Sequence, residues 1–173
     1  MNGLGNINSI LALFGEMRTT DVLVPGYIDH DDEPPSFHPW TVTAYFALEN
    51  AMVRMDSVQN YSQLKLSVVD EMAVPDEILR EEEQFAVASY SHLFFADAYE
   101  SFRCTQVRYV EDESSDASQA IVQCIEFVFE DNWPVFVDPE WHFGVRLEGA
   151  GGLDRWLESN SPQNSRLVTW CPS

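Results

Sequence analysis

From Ile121 to Glu130 the residues alternate in kind at every step, and no other stretch restricts the fold of this chain so tightly. On an extended backbone Ile121, Gln123, Ile125, Phe127 and Phe129 share one face, and Val122, Cys124, Glu126, Val128 and Glu130 share the other. The first face is nearly all apolar and the second is mixed, as in a sheet packed on one side and partly wet on the other. Asp131-Asn132 supplies a turn, since both residues tolerate left-handed backbone and bond to their own main chain. Trp133-Pro134 opens a second strand, because proline cannot donate to a ladder and suits a strand start or an edge. That strand runs through Val135 to Val137 until Asp138-Pro139 breaks it. Phe143 to Leu147 forms a third, and Gly149 to Gly152 closes the unit. Connections this short cannot make parallel crossovers, so Gln119 to Gly149 reads as an antiparallel meander.

The flanking chain supplies further strands and a few short helices. Leu4, Ile7, Ile10, Leu11, Phe14 and Met17 recur at helical spacing, so Asn6 to Arg18 is an amphipathic helix. Thr19 to Ile28 holds Val22, Val24 and Tyr27 around Pro25-Gly26, a turn signal. His30 to Pro39, with its acids and prolines, reads as a loop. Trp40 to Met55 mixes helix and strand formers and is assigned to a hairpin, Tyr45 to Leu48 pairing with Met52 to Met55. Leu64, Leu66 and Val68 mark another strand. Pro75 to Phe85 reads as helix, with Asp76 and Glu77 in its first turn, and the helix, broken or not, continues through Ala86 to Tyr99. Arg103 to Val110 is a strand leading into the acidic loop Glu111 to Asp116. Leu153 to Glu158 is a short helix, and Leu167 to Trp170 an edge strand. The expectation is one α+β domain of 173 residues, an antiparallel sheet of about five to seven strands packed with short helices.

Charge limits the partners. Nine basic residues against 29 acidic ones give a net charge of −20, a field that repels nucleic-acid backbones and anionic membranes and favours a cationic partner. No apolar run approaches the roughly 20 residues of a membrane span, and no basic region precedes the first apolar stretch, so no secretory signal is read. Cys104, Cys124 and Cys171 are odd in number and lack CxxC spacing, which points to a reducing cytoplasm rather than to disulfides or zinc.

No catalytic motif stands out. There is no G-x-S-x-G elbow, and the glycines near either end lack the strand-to-helix setting of a phosphate loop. Asp138, Glu140 and His142, two apart, would face one side of a strand and could ligate a divalent metal, though Pro139 disturbs that strand. His30 beside Asp31 and Asp32 is a similar set. Neither is completed by further ligands, and no cofactor is expected. The candidate contact surface is instead Asp29, Asp31, Asp32, Glu33 and Trp40, with Glu81, Glu82 and Glu83 and with Glu111, Asp112, Glu113 and Asp116. Large aromatics such as Trp40 and Trp133 can anchor an interface, and acidic rims steer a basic partner.

The run from Phe127 through Asp138-Pro139 to His142-Phe143-Gly144, Leu147-Glu148-Gly149 and Trp156-Leu157 resembles the C-terminal half of small α+β bacterial immunity proteins, which also share this size and acidity. The resemblance implies a cytoplasmic inhibitor that occludes the active surface of a cognate, basic toxin domain; it implies no particular binding residues. Two other readings stand beside it: an acidic nucleic-acid mimic that blocks a DNA-binding enzyme, and a small metal-dependent enzyme using Asp138, Glu140 and His142.

Overall fold

In the computed structural model the described residues are 5–95, 100–141, 144–160 and 164–173, with only the backbone of Glu140 and Trp141 included. The chain is α+β and mainly antiparallel β. Among the described residues, twelve strands form two sheets rather than one. The first sheet contains β1 (Thr19–Asp29), β2 (Ser36–Pro39), β3 (Thr43–Leu48), β4 (Met52–Val58), β5 (Gln63–Val69), β6 (Gln84–Ser89) and β8 (Ile121–Val122). Their order is β2-β1-β3-β4-β5-β8, with β6 pairing on β1. The second runs β11-β10-β9-β7-β12, from β7 (Cys104–Glu111), β9 (Cys124–Phe129), β10 (Trp133–Trp141), β11 (Gly144–Glu148) and β12 (Arg166–Trp170). The helices are α1 (Ile7–Glu16), α2 (Asp76–Arg80), α3 (Ser91–Phe94) and α4 (Gly152–Ser159).

One core joins the two sheets. Phe14 on α1 lies 5.5 Å from Phe46 of the first sheet and 4.5 Å from Phe127 of the second, ring centre to ring centre. Phe46 and Phe127 themselves meet at 4.7 Å. All three rings are sealed from solvent. The helical spacing of Ile7, Ile10, Leu11 and Phe14 is therefore a core-facing stripe. Asn6 caps the helix, its side chain accepting from Ser9 N at 2.9 Å.

The meander expected around Ile121–Glu130 exists as β9-β10-β11, with Asp131 (φ 63°) and Asn132 (φ 59°) making its first turn. The alternation does not run through as one strand. It breaks at Gln123: Ile121 and Val122 pair with β5 in the first sheet, and Cys124 starts the second. Val122 therefore joins the inter-sheet core with Ile125, Phe127 and Phe129, out of the period-two phase. The mixed face stays partly wet only at its far end, where Val128 and Glu130 are half-buried. Leu153 and Trp156 of α4 cover Cys124 and Phe136 on the rest of it, and Glu126 is buried against Arg108, whose Nε donates to its Oε1 at 2.9 Å.

Four other readings change. Asp138-Pro139 does not end β10, which continues to Trp141 with Asp138 buried against Arg146, although the register against β11 shifts between Asp138 and Trp141. Gln84 to Ser89 is a strand, not a continued helix: α2 stops at Arg80, and Glu82 takes a left-handed conformation (φ 55°) that turns the chain. Within the same reading Ser91–Phe94 is helix, and its part beyond Phe95 falls on residues 96–99, outside the described residues. His30 to Pro39 is a loop only to Pro35, with β2 following.

Pro25-Gly26, read as a turn, lies inside the eleven-residue β1. The register explains why. On one side of β1 the partner changes from β3, which ends opposite Leu23, to β2, which begins opposite Gly26. Pro25 sits at that change, so its missing N–H costs no ladder bond, while its carbonyl accepts from Trp40 N at 2.7 Å. Gly26 is required because any Cβ there would strike the His38 carbonyl and the Phe37 ring. Gly144 (φ 109°) plays the same part at the start of β11, where a Cβ would strike the Thr41 carbonyl that accepts from Val145 N.

Candidate functional site

The antiparallel register lines up Phe85 of β6, Tyr27 of β1 and His38 of β2 across three strands. Residues directly opposite share a face, so the three form an aromatic row. It lies on the outer face of the first sheet, since Val22, five residues before Tyr27 on the same strand and so on the opposite face, points inward to the core. Tyr27 and His38 stack with ring centres 5.4 Å apart and planes 16° from parallel. All three side chains are half-buried.

Carboxylates surround this row. His38 Nε2 lies 2.8 Å from Asp32 Oδ2, and the Ser36 hydroxyl donates to the same oxygen. Asp29 Oδ1 accepts from Asp31 N at 2.9 Å, which ties the start of the loop. Across β1, Ile28 pairs with Gln84, so the turn carrying Glu81, Glu82 and Glu83 arrives beside the 30–35 loop; His30 Nε2 and Gln84 Oε1 are 2.7 Å apart. The electrostatics register this convergence. Desolvation raises the Tyr27 phenol above its ordinary pKa, and Asp29, Glu83, Glu81 and Asp32 push it in the same direction. The hydrogen bond to Asp32 raises His38, and the bonds from His38 and Ser36 hold Asp32 below the usual carboxylate range.

Two segments that carry seven carboxylates therefore come together at one end of the sheet, Asp29, Asp31, Asp32 and Glu33 on one and Glu81, Glu82 and Glu83 on the other; Asp29, Asp32, Glu81 and Glu83 all act on Tyr27. Among the described residues no arginine or lysine forms an ion pair with any of them; the one ion pair there is His38–Asp32. Ligand atoms of Asp29, Asp32 and His38 lie within 4.8 Å of one another, so this trio could hold a divalent cation if His38 released Asp32. The same arrangement of rings and acids suits a guanidinium or ammonium group, by cation–π attraction and charge.

The third acidic segment is elsewhere and is bound up internally. Glu111 pairs with Arg166 at 2.6 Å, Asp112 accepts from the Gln63 amide at 3.1 Å, and Asp116 caps a 3-10 turn through Ser118 N at 3.0 Å. Glu113 alone of that group is exposed with no partner among the described residues. Trp40 is half-buried and lines a cleft of about 330 Å³ with Tyr45, Arg54, Asp76 and Glu77, not with Glu33. Trp133 is 37 % exposed and borders a separate apolar cleft with Leu93. Asp138 is committed to Arg146 at 2.9 Å; of its two metal-set companions, the Glu140 side chain and His142 lie outside the described residues. Cys104 and Cys124 are buried, and burial pushes the Cys104 thiol up to about 12, which leaves it a core residue rather than a nucleophile.

Sequence reasoning missed Tyr27, His38 and Phe85. Their only signal is the register of three strands, which the sequence alone presents as a turn, a loop and a helix. No helix of the described residues is long and apolar enough to cross a membrane. No family model matches the chain, and neither a curated protein nor a solved structure does.

Proposed function

We propose that this protein binds a basic protein partner at the acidic end of its first sheet, as an immunity-type inhibitor that covers the active surface of a bacterial toxin domain. One observation supports this above the others: two acidic segments some fifty residues apart in the chain, Asp29–Glu33 and Glu81–Glu83, meet without arginine or lysine ion pairs among the described residues. Like charges held together this way raise the energy of the free protein and are relieved when a cation arrives. The rings of Tyr27, His38 and Phe85 give that cation an apolar face to pack on. A cytoplasmic site of action belongs to the same reading, and three free thiols support it.

The test is rescue and binding. A toxin domain encoded beside this protein should kill cells without it and leave them growing with it. Reversal of Asp31, Asp32, Glu81 and Glu83 to lysine should abolish rescue while the protein still folds, and the remaining affinity should lose its salt dependence. Rescue that survives this reversal would rule the acidic end out as the contact surface.

A further inference from the structure

Strand β6 has one neighbour, β1, and its other edge is open among the described residues. The direction of its backbone groups follows from two bonds. Pro25 O faces away from β6 toward Trp40, while Val22 O faces β6 and accepts from Tyr90 N at 2.7 Å. From Val22 to Ile28, odd-numbered residues of β1 thus point away from β6 and even-numbered ones toward it. By the register Pro25↔Val87 and Val24↔Ala88, the amides and carbonyls of Ala86 and Ala88 bond to β1, and those of Phe85, Val87 and Ser89 project from the free edge. None of these three has a backbone partner there among the described residues.

This edge lacks the features that usually blunt one. The sequence Gln-Phe-Ala-Val-Ala-Ser has no charge and no proline, and Val87 is 42 % exposed. Its N-terminal end leads straight from Glu81, Glu82 and Glu83. The aromatic row starts on it at Phe85.

We infer that an extended basic segment of the partner adds to the free edge of β6 as a further strand, with its cationic side chains beside Phe85 and the Glu81–Glu83 turn. This rests on the proposed basic partner and names how that partner is held. Backbone bonds to Phe85, Val87 and Ser89 give the contact its register, and the acids select a cationic strand over others. A second copy of this chain is a poor occupant, because each carries −20 and the two acidic turns would be brought alongside the same short strand.

Fluorescence anisotropy with a labelled peptide of alternating arginine and valine, as long as β6, tests this on the full chain. The peptide should bind, and the same peptide N-methylated on alternate amides should bind about tenfold more weakly, the loss of one or two hydrogen bonds at unchanged charge. Val87→Pro should weaken the unmodified peptide to the same degree, since that N–H makes no bond to β1, with an unchanged thermal melt as the check on folding. Equal binding of both peptides, with loss on Glu81→Lys/Glu83→Lys, overturns strand addition and leaves the basic-partner reading standing. Loss on Val87→Pro with no effect of the lysine pair keeps strand addition and overturns the electrostatic reading. Absence of binding by either peptide at millimolar concentration overturns both, and a dimer in solution that Val87→Pro dissociates assigns the edge to a second copy.

Discussion

The two sheets treat their carboxylates in opposite ways. On the α4 side of the second sheet, Glu126 and Asp138 are each 2 % exposed, and each lies directly opposite an arginine on the neighbouring strand, Arg108 and Arg146. At the open end of the first sheet seven carboxylates are wet or half-wet, and among the described residues the one ion pair to any of them is His38–Asp32. Seven of the eight arginines are in ion pairs elsewhere. The contrast separates acids that hold the fold together from acids whose repulsion the fold tolerates. Net charge alone gives both groups the same weight.

The largest test of this contrast is Arg108→Ala. It strands a buried carboxylate and should cost about 3 kcal/mol in urea unfolding. The paired change Arg108→Leu/Glu126→Leu should recover most of that loss, since well-packed apolar residues can replace a buried pair. At the other end, Asp31→Asn with Glu81→Gln should leave stability unchanged or raise it by about 0.5 kcal/mol, because it removes repulsion and no partner. A loss comparable to that of Arg108→Ala there would erase the distinction between the two regions. Glu82→Gly should be tolerated within about 0.5 kcal/mol, because the residue already takes a left-handed backbone that glycine adopts freely. It deletes one charge of the cluster without disturbing the turn, so any fall in partner association rate reads electrostatics alone.

The smallest effect is a titration. His38 is raised, so its contribution to stability is fully present below the ordinary histidine pKa near ~6.5 and is lost as pH rises through the raised value. Asp32 is lowered, so its contribution is present above the ordinary aspartate range and is lost as pH falls through the lowered value. The pair is therefore intact in mildly acidic solution and opens at both extremes. NMR should place the His38 midpoint above that of a free histidine, and Asp32→Asn should bring it back down. An unshifted midpoint would mean that the 30–35 loop does not hold Asp32 against His38 in solution.

How far the chain could be read depended on how local each decision was. The α1 stripe, the Tyr45–Met55 hairpin, the Asp131-Asn132 turn and the α4 segment were all legible, because each is set by residues within a turn or two of one another. The β6 strand was not. Glu81-Glu82-Glu83-Gln84-Phe85-Ala86 has ordinary helical composition, and the edge of β1 outweighs that weak propensity. Pro25-Gly26 carries a strong turn signal, overruled by a change of strand partner that no neighbouring residue announces. The break at Gln123 is hidden for the same reason: the alternation continues in the letters while the chain passes from one sheet to the other.

The sequence by itself determined that the chain would be an acidic α+β protein with an antiparallel meander, because composition and short-range period depend on nothing beyond the window in which they are read. It also marked out the three acidic segments. Only the tertiary structure decided which of them act together. Strand register brings Asp29–Glu33 to Glu81–Glu83 and aligns Phe85, Tyr27 and His38 beside them, while Glu111–Asp116 spends its charge on its own turn and on Arg166. Register is a property of pairs of strands distant in the chain, and its energy comes from burying the core face of the whole sheet at once.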